Sequence, residues 1–564
     1  MPRTAAKQNC SRSTGRSSVG DRSLFAWLAG RSAGVVLVLA AFGVLVAYPL
    51  VRLVGTLVDR GPGAFARAFD GPGGEALMTS LWLGVVVAAI AVSLGTAAAL
   101  AAERGAGSVR RWVRIAIVGQ LLVPPFVSAL GWAAAYGPRG LTDRLVGISL
   151  PGMYGPVGVV AVLATEAIPL AYLVVAGAMA VRGEADLERA ARASGATQRD
   201  AFRTITLPLL RPAIAAAAVL AFVLTLNAFG VPAVLGLPGG MSTMTTRIYQ
   251  DLAFSADPAS FDRAVVLALT LVGIGLVAIL LADLLLAGRT VRRTGTTSAP
   301  AARVRAGRGG RVALVVVAIA VVATAVVPFV ALVLVALTRA VGLAPVPENW
   351  TLDNFATVLD GTAVDALRNS LVLGVVAATV ATALGGLVVA IGRRRGRALG
   401  SLSAIGFAIP GSTLALAALI AYGGALRDTL ALILVAYLAK FWALGHRPLA
   451  GAADRLPADL IRASRASGAT AMVAVRTVAA PLLRVAIVSA WLLVFVYAIH
   501  EVTMSSLLYG PGTATLAVVV LNIQQLGDPT VTAALAVLLT GLVAVAAIPI
   551  LIGRRILDRP AIRE

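Results

Sequence analysis

Residues 80–95 read SLWLGVVVAAIAVSLG and residues 370–385 read SLVLGVVAATVATALG, the same residue standing at 10 of 16 positions. Each stretch lies in an uncharged apolar run, 78–101 and 370–392. An α-helix crosses a hydrocarbon core in about 20 residues at ~1.5 Å per residue, so each run is long enough to span a membrane. Working outward, ten more such runs lie at 34–54, 113–135, 157–180, 213–236, 264–287, 313–337, 402–423, 429–449, 485–508 and 530–552. The expected fold is all-α: a polytopic membrane protein of twelve transmembrane helices arranged as two homologous six-helix halves. Composition agrees, since 59% apolar and 13% charged residues over 564 positions leave too little polar surface for a soluble globule. The first run exceeds a signal-peptide core and no small-residue cleavage pattern follows it, so it is expected to stay as a span.

A net charge of +22 raises the question of nucleic acid, but the basic residues fall in separate short runs between spans and form no single patch. Arg104, Arg110 and Arg111 follow the second span, Arg189 to Arg211 the fourth, Arg289 to Arg311 the sixth and Arg393 to Arg397 the eighth. The intervening loops carry acids, among them Asp251, Asp257, Asp262, Glu348, Asp353, Asp360 and Asp365. This alternation makes the arginine loops and both termini cytoplasmic. The expected organisation is a disordered tail at 1–33, a six-helix unit at 34–288, a flexible linker at 289–311 and a second unit at 312–564.

A polar repeat strengthens the apolar one. RAARASGAT at 189–197 recurs as RASRASGAT at 462–470, and PLLRPAI at 208–214 recurs at the same spacing as PLLRVAI at 481–487. Both copies follow the fourth span of their half, which identifies a duplication. Their punctuation is helical: acids Glu184, Asp186 and Asp459 early, arginines late, Pro457 at a first helical position, and Gly195 or Gly468 as a stop. Pro208 and Pro481 are expected to break the chain before the next span.

At these residues the chain resembles the permease subunits of bacterial binding-protein-dependent ABC importers, whose cytoplasmic signature is Glu-Ala-Ala, three residues, Gly, nine residues, then Ile-x-Leu-Pro. Ala190, Ala191, Gly195, Ile205, Leu207 and Pro208 match it in the first copy. In the second, Ala463, Gly468 and Pro481 match, Ser464, Val478 and Ala480 are replacements, and the acidic position holds Arg462, as it holds Arg189 in the first. The resemblance implies that both loops couple to separate ATPase subunits, a homodimer, with Glu188 standing in for the missing carboxylate. It also implies a periplasmic or lipid-anchored binding protein and a place in the plasma (inner) membrane. TTRIYQDL at 245–252, HEVTMSSLLYGPGTATLAV at 500–518 and the double length are similar to the ferric-iron group, which makes ferric iron the expected cargo. Thiamine, phosphonate or polyamine is the alternative, and a facilitator-type secondary transporter is the rival class.

No Walker loop is available, because neither Lys7 nor Lys440 follows a glycine, so ATP is expected to be used by a partner and no cofactor by this chain. With histidine only at 446 and 500 and a lone Cys10, no metal cage is expected. No nucleophile–base pair marks the spans as an enzyme site. Ionisable residues inside spans usually face protein or a wet path. Glu166 and Lys440, at nearly equivalent positions of spans four and ten, form an ion pair across the pseudo-twofold axis or are satisfied separately. His500 and Glu501, in span eleven, and Asn227, the counterpart of His500, are expected to line the outward part of the path. Pro124, Pro125 and Pro410 permit bending of spans three and nine.

Overall fold

The computed structural model describes residues 32–557 except 62, 105–106, 182–183, 288–307, 341, 360–361 and 392. The expected disorder of the N-terminal tail and most of the 289–311 linker fall outside these residues. The first half contains α1 (Ser32–Arg60), α2 (Pro72–Arg104), α3 (Gly107–Gly119), α4 (Pro125–Tyr136), α5 (Pro156–Val181), α6 (Glu184–Ala193), α7 (Gln198–Leu226), α8 (Met244–Ala253) and α9 (Pro258–Ala287). The second contains α10 (Val315–Leu337), α11 (Thr362–Ile391), α12 (Arg393–Ala408), α13 (Gly411–Leu426), α14 (Leu430–Ala453), α15 (Ala458–Ala466), α16 (Val475–Ile499), α17 (Thr503–Leu508), α18 (Leu516–Leu526) and α19 (Pro529–Leu557). Among the described residues the fold is helical, with one isolated bridge between Thr338 and Trp350.

Among the described residues ten helices are long and apolar enough to cross a bilayer, and one bent pair makes an eleventh. The count falls short of the expected twelve because two of the runs are broken at equivalent places, at the prolines expected to permit bending. The run at 113–135 stops at Gly119 and restarts at Pro125, and the run at 402–423 turns by 97° between α12 and α13. Pro124 (φ −59°, ψ 138°) and Pro410 (φ −55°, ψ 142°) stand at the breaks. Neither ring leaves a backbone N–H to continue the helix. The runs at 213–236 and 485–508 also end early, at Leu226 and Ile499, so Asn227, His500 and Glu501 lie past their helices and not within them.

The expected break at Pro208 and Pro481 does not occur. Both prolines are carried through continuous helices because a π turn precedes each, at Phe202–Thr206 and Val475–Ala479. The same arrangement precedes Pro49 (Gly43–Ala47) and Pro328 (Val322–Val326). A wider turn moves the carbonyl that the proline ring would strike, so the bulge replaces a kink.

In each half three helices form the inner bundle: α2, α5 and α7, matched by α11, α14 and α16. The opening repeat supplies the contacts. A Cβ on Gly84 would lie 2.7 Å from the Phe222 ring and one on Gly374 3.1 Å from the Phe495 ring. At the end of the repeat, a Cβ on Gly95 would come 2.7 Å from Ala171, and one on Gly385 2.7 Å from the backbone of Gly445. Small residues at these places let helices approach closely, the dominant source of attraction where lipid is as apolar as the side chains. The first residues of the repeat, Ser80 and Ser370, accept hydrogen bonds from Met244 N and Leu516 N, both 2.8 Å, and so hold the first residues of helices α8 and α18.

The first helix of each half crosses to the other. Helix α1 packs on α13, and α10 packs on α4. Their π turns expose carbonyls that the partner half satisfies: the Tyr422 hydroxyl donates to Val44 O at 2.6 Å, the Tyr136 hydroxyl to Ala323 O, and Trp132 Nε1 to Thr324 O at 3.0 Å. Tyr136→Phe and Tyr422→Phe are each expected to lower stability by about 0.6–1.7 kcal/mol, read as thermal unfolding in detergent, with the double variant additive because the sites are separate.

Candidate functional site

The two repeated loops fold alike. Helix α6 ends on Gly195 (φ 93°) and α15 on Gly468 (φ 89°), a left-handed conformation that an L side chain resists. The closing bonds are the same in both copies: Ser194 N to Ala190 O and Ser467 N to Ala463 O, each 3.0 Å, and Ala196 N to Ala191 O and Ala469 N to Ser464 O, 3.0 and 3.2 Å. Pro457 sits one residue earlier than expected, at the N-cap. Both helices present themselves at the surface, and each carries one large apolar side chain outward at the equivalent place, Leu187 at 50% and Leu460 at 46% exposure. An exposed leucine on an otherwise polar short helix suits burial against another protein.

The copies differ in how they are tied down. The Thr206 hydroxyl donates to Glu188 Oε1, joining α6 to the one buried residue of the π turn at the base of α7, near Ile205, Leu207 and Pro208. Glu188 is thus engaged with its own chain. In the second copy both partners are replaced together, by Ile461 and Ala479; Val478 lies in the corresponding turn and Pro481 just beyond it. Arg462 bridges Asp459 at 2.9 Å on the exposed side of α15. This joint exchange of a polar pair for an apolar one is readable in the repeat once the two are known to touch.

Of the candidate path residues, Glu166 and Lys440 lie midway along α5 and α14, and Asn227, His500 and Glu501 follow the ends of α7 and α16. Lys440 Nζ donates to Phe407 O at 2.9 Å and to Ile409 O, the carbonyls freed by the break at Pro410. Glu166 bonds to Ser128, just past the other break. Each therefore meets the broken span of its own half. Glu501 does not project from a membrane helix: its carboxylate caps α17, accepting from Met504 N at 2.8 Å and Ser505 N at 3.1 Å. The His500 ring lies beside Tyr497, tilted by 44° with ring centroids 5.3 Å apart, and Asn227 ends α7. The helices end and short helical turns follow after α7 and α16, and these segments are buried, with Phe229, Val231, Val502 and Met504 at 6% exposure or less. They meet where a Cβ on Gly230 would press on Phe126 and Val502. Backbone of this kind is tolerated at membrane depth only inside protein.

TTRIYQDL forms α8, where Asp251 (3% exposed) receives Arg263 at 2.6 and 2.8 Å and Arg247 at 2.9 Å. Among the described residues no group of three or more His, Cys, Asp or Glu could hold a metal ion.

Comparison with known proteins fits this duplicated geometry. The family model for the binding-protein-dependent transport system inner membrane component matches residues 91–291 and again 370–561. The molybdenum transport system permease protein ModB of Mycobacterium bovis is 32% identical over 242 residues, 41% of this chain and 89% of the relative. The probable ABC transporter permease protein y4fN of Sinorhizobium fredii is 25% identical over 472 residues, 79% of this chain and 81% of the relative, and so shares the double length. The thiamine transport system permease protein ThiP of Brucella abortus is 29% identical over 248 residues, 42% of this chain and 44% of the relative.

Two outcomes are expected of variants. Gly195→Val is expected to impair transport more than Gly468→Val at equal membrane level, and equal losses would remove the asymmetry between loops. Glu188→Gln and Thr206→Val are each expected to lower transport, and the double variant no further than either alone, because they share one bond.

Proposed function

This chain belongs to the binding-protein-dependent transport system inner membrane components, and from that premise we propose that it is the complete transmembrane path of an ATP-driven importer. Both halves lie in one polypeptide of twelve crossings, two of them broken, with both termini in the cytoplasm. Separate ATPase subunits dock on α6 and α15, and an extracytoplasmic binding protein delivers cargo to the opposite face. The observation that carries this reading is the pair of equivalent surface helices, each closed by a left-handed glycine and each offering one exposed leucine. Two like docking helices suit two like ATPases, and closure of those subunits on ATP draws the helices together and tilts the bundles between outward and inward access.

Ferric iron is the cargo implied by the resemblance of 245–252 and 500–518. A second cargo reading, molybdate, thiamine or a phosphonate, is favoured by relatives named for molybdenum, for thiamine and for 2-aminoethylphosphonate. A polyamine, a small organic cation, is a further alternative cargo of the same importer class. In every case tight binding resides in the delivery protein, since a cargo held firmly in the path would not leave.

Purification of the tagged chain is expected to bring down an ATPase, and Leu187→Glu with Leu460→Glu to lose it. Hydrolysis by the complex is expected to rise with ferric-iron-loaded binding protein. A rise only with a thiamine-, molybdate-, phosphonate- or polyamine-loaded one would move the cargo to the second reading. Uptake that survives ATPase inhibition and stops with an uncoupler would contradict the importer and favour the facilitator class.

A further inference from the structure

Helix α14 leads within five residues into the surface helix α15, and one turn of its length holds two separate pieces of broken backbone. Tyr437 is fully buried, seven residues or ~10 Å into α14. Its hydroxyl lies 2.6 Å from Ser505 Oγ in α17 and 3.4 Å from Glu501 O. One turn on, Lys440 donates to Phe407 O and Ile409 O at the end of α12, with its ammonium 5.4 Å from the Phe407 ring. Glu501, within electrostatic range of that ammonium, closes the arrangement by capping α17. The first half has nothing comparable. The positions equivalent to Tyr437, Lys440, Glu501 and Ser505 are Ala164, Ala167, Ala228 and Pro232. Among the described residues no side-chain hydrogen bond joins α5 to the segment after α7; Glu166 bonds to Ser128 in α4 and lies within electrostatic range of Tyr497 in α16.

We infer that Tyr437 and Lys440 are positioning residues that strap the segment 500–508 and the break at Pro410 to α14, so that in the second half the surface loop, the broken span and this segment move as one body. A buried ammonium directed at two unpaired carbonyls and a buried hydroxyl directed at a re-entrant turn leave few alternative arrangements in a medium without water. The first half, tied instead through Glu188 and Thr206 to the base of α7, lets its own segment at 227–236 move apart from α5. The two loops therefore pull on different parts of the path: the first on the helix that lines it, the second on the segment that closes it. This division rests on the importer reading for its purpose, and on geometry alone for its mechanics.

The test uses the full chain with Cys10→Ser, a single cysteine at Thr503 or Asn227, and thiol labelling in a bilayer, with and without the ATPase. Tyr437→Phe and Lys440→Met are each expected to raise the labelling rate at 503 about two- to tenfold, the equilibrium worth of one net hydrogen bond, with no change at 227. The double variant is expected to add little to either, and Lys440→Arg to restore the rate. In the complex, both single variants are expected to raise ATP hydrolysis in the absence of binding protein. Unchanged labelling at 503, or an equal rise at 227 and 503, would overturn the strap. If the unaltered complex shows no hydrolysis stimulated by binding protein, the importer reading fails, while labelling still decides the strap.

Discussion

A backbone amide or carbonyl without a partner costs several kcal/mol in hydrocarbon, and most of the distinctive side chains of this protein answer that one constraint. Prolines open the backbone at Pro124, Pro410 and after four π turns, and polar side chains close several of these openings. Lys440 takes the carbonyls at Phe407 and Ile409, Tyr422 takes Val44 O, and Trp132 takes Thr324 O. Ser80 and Ser370 hold the first residues of α8 and α18, and Asn369 Nδ2 holds Gly512 O and Ala514 O, both at 3.0 Å. The scarcity of polar residues inside the spans is thus matched by the specificity of their use. Each opening is a place where a helix can bend or a segment can shift without unfolding the bundle.

Much of this was legible in the sequence and some was not, for physical reasons. Hydrophobic length located the helices, because crossing a bilayer demands a fixed run of apolar residues. Gly195 and Gly468 announced left-handed caps because few other residues accept that conformation, and φ values of 93° and 89° follow. Helix ends within apolar sequence were harder: nothing in the composition of 213–236 or 485–508 marks Leu226 and Ile499 as last residues. The outcome at a proline was likewise hidden. Pro410 breaks its helix, whereas Pro208 and Pro481 ride through on the π turns that precede them. Partnership was least visible of all. Lys440 and Glu166 invited pairing by charge, yet each is closest to a broken span in its own half.

The repeat itself explains what duplication kept and what it released. Ser80 and Ser370, Gly84 and Gly374, and Gly95 and Gly385 persist because one hydrogen bond and two close helix crossings recur in each half. Away from these contacts the halves diverge in pairs, Glu188 with Thr206 against Ile461 with Ala479, and the polar group around Tyr437 against alanines. A single chain permits this. Two copies of one subunit would carry the same linkage on both sides, whereas a fused pair can attach one loop to a lining helix and the other to a closing segment. The exchange of α1 and α10 between halves then holds the unequal bodies in one frame.

The most direct measurement of the central claim, that the two surface loops drive relative motion of the segments ending α7 and α16, is the distance between spin labels at 227 and 500 in the Cys10→Ser chain, assembled with its ATPase in a bilayer. The account predicts that the distance distribution shifts when the ATPase is trapped with ATP and returns when nucleotide is removed. An identical distribution in both states, from a complex that still transports, would contradict it.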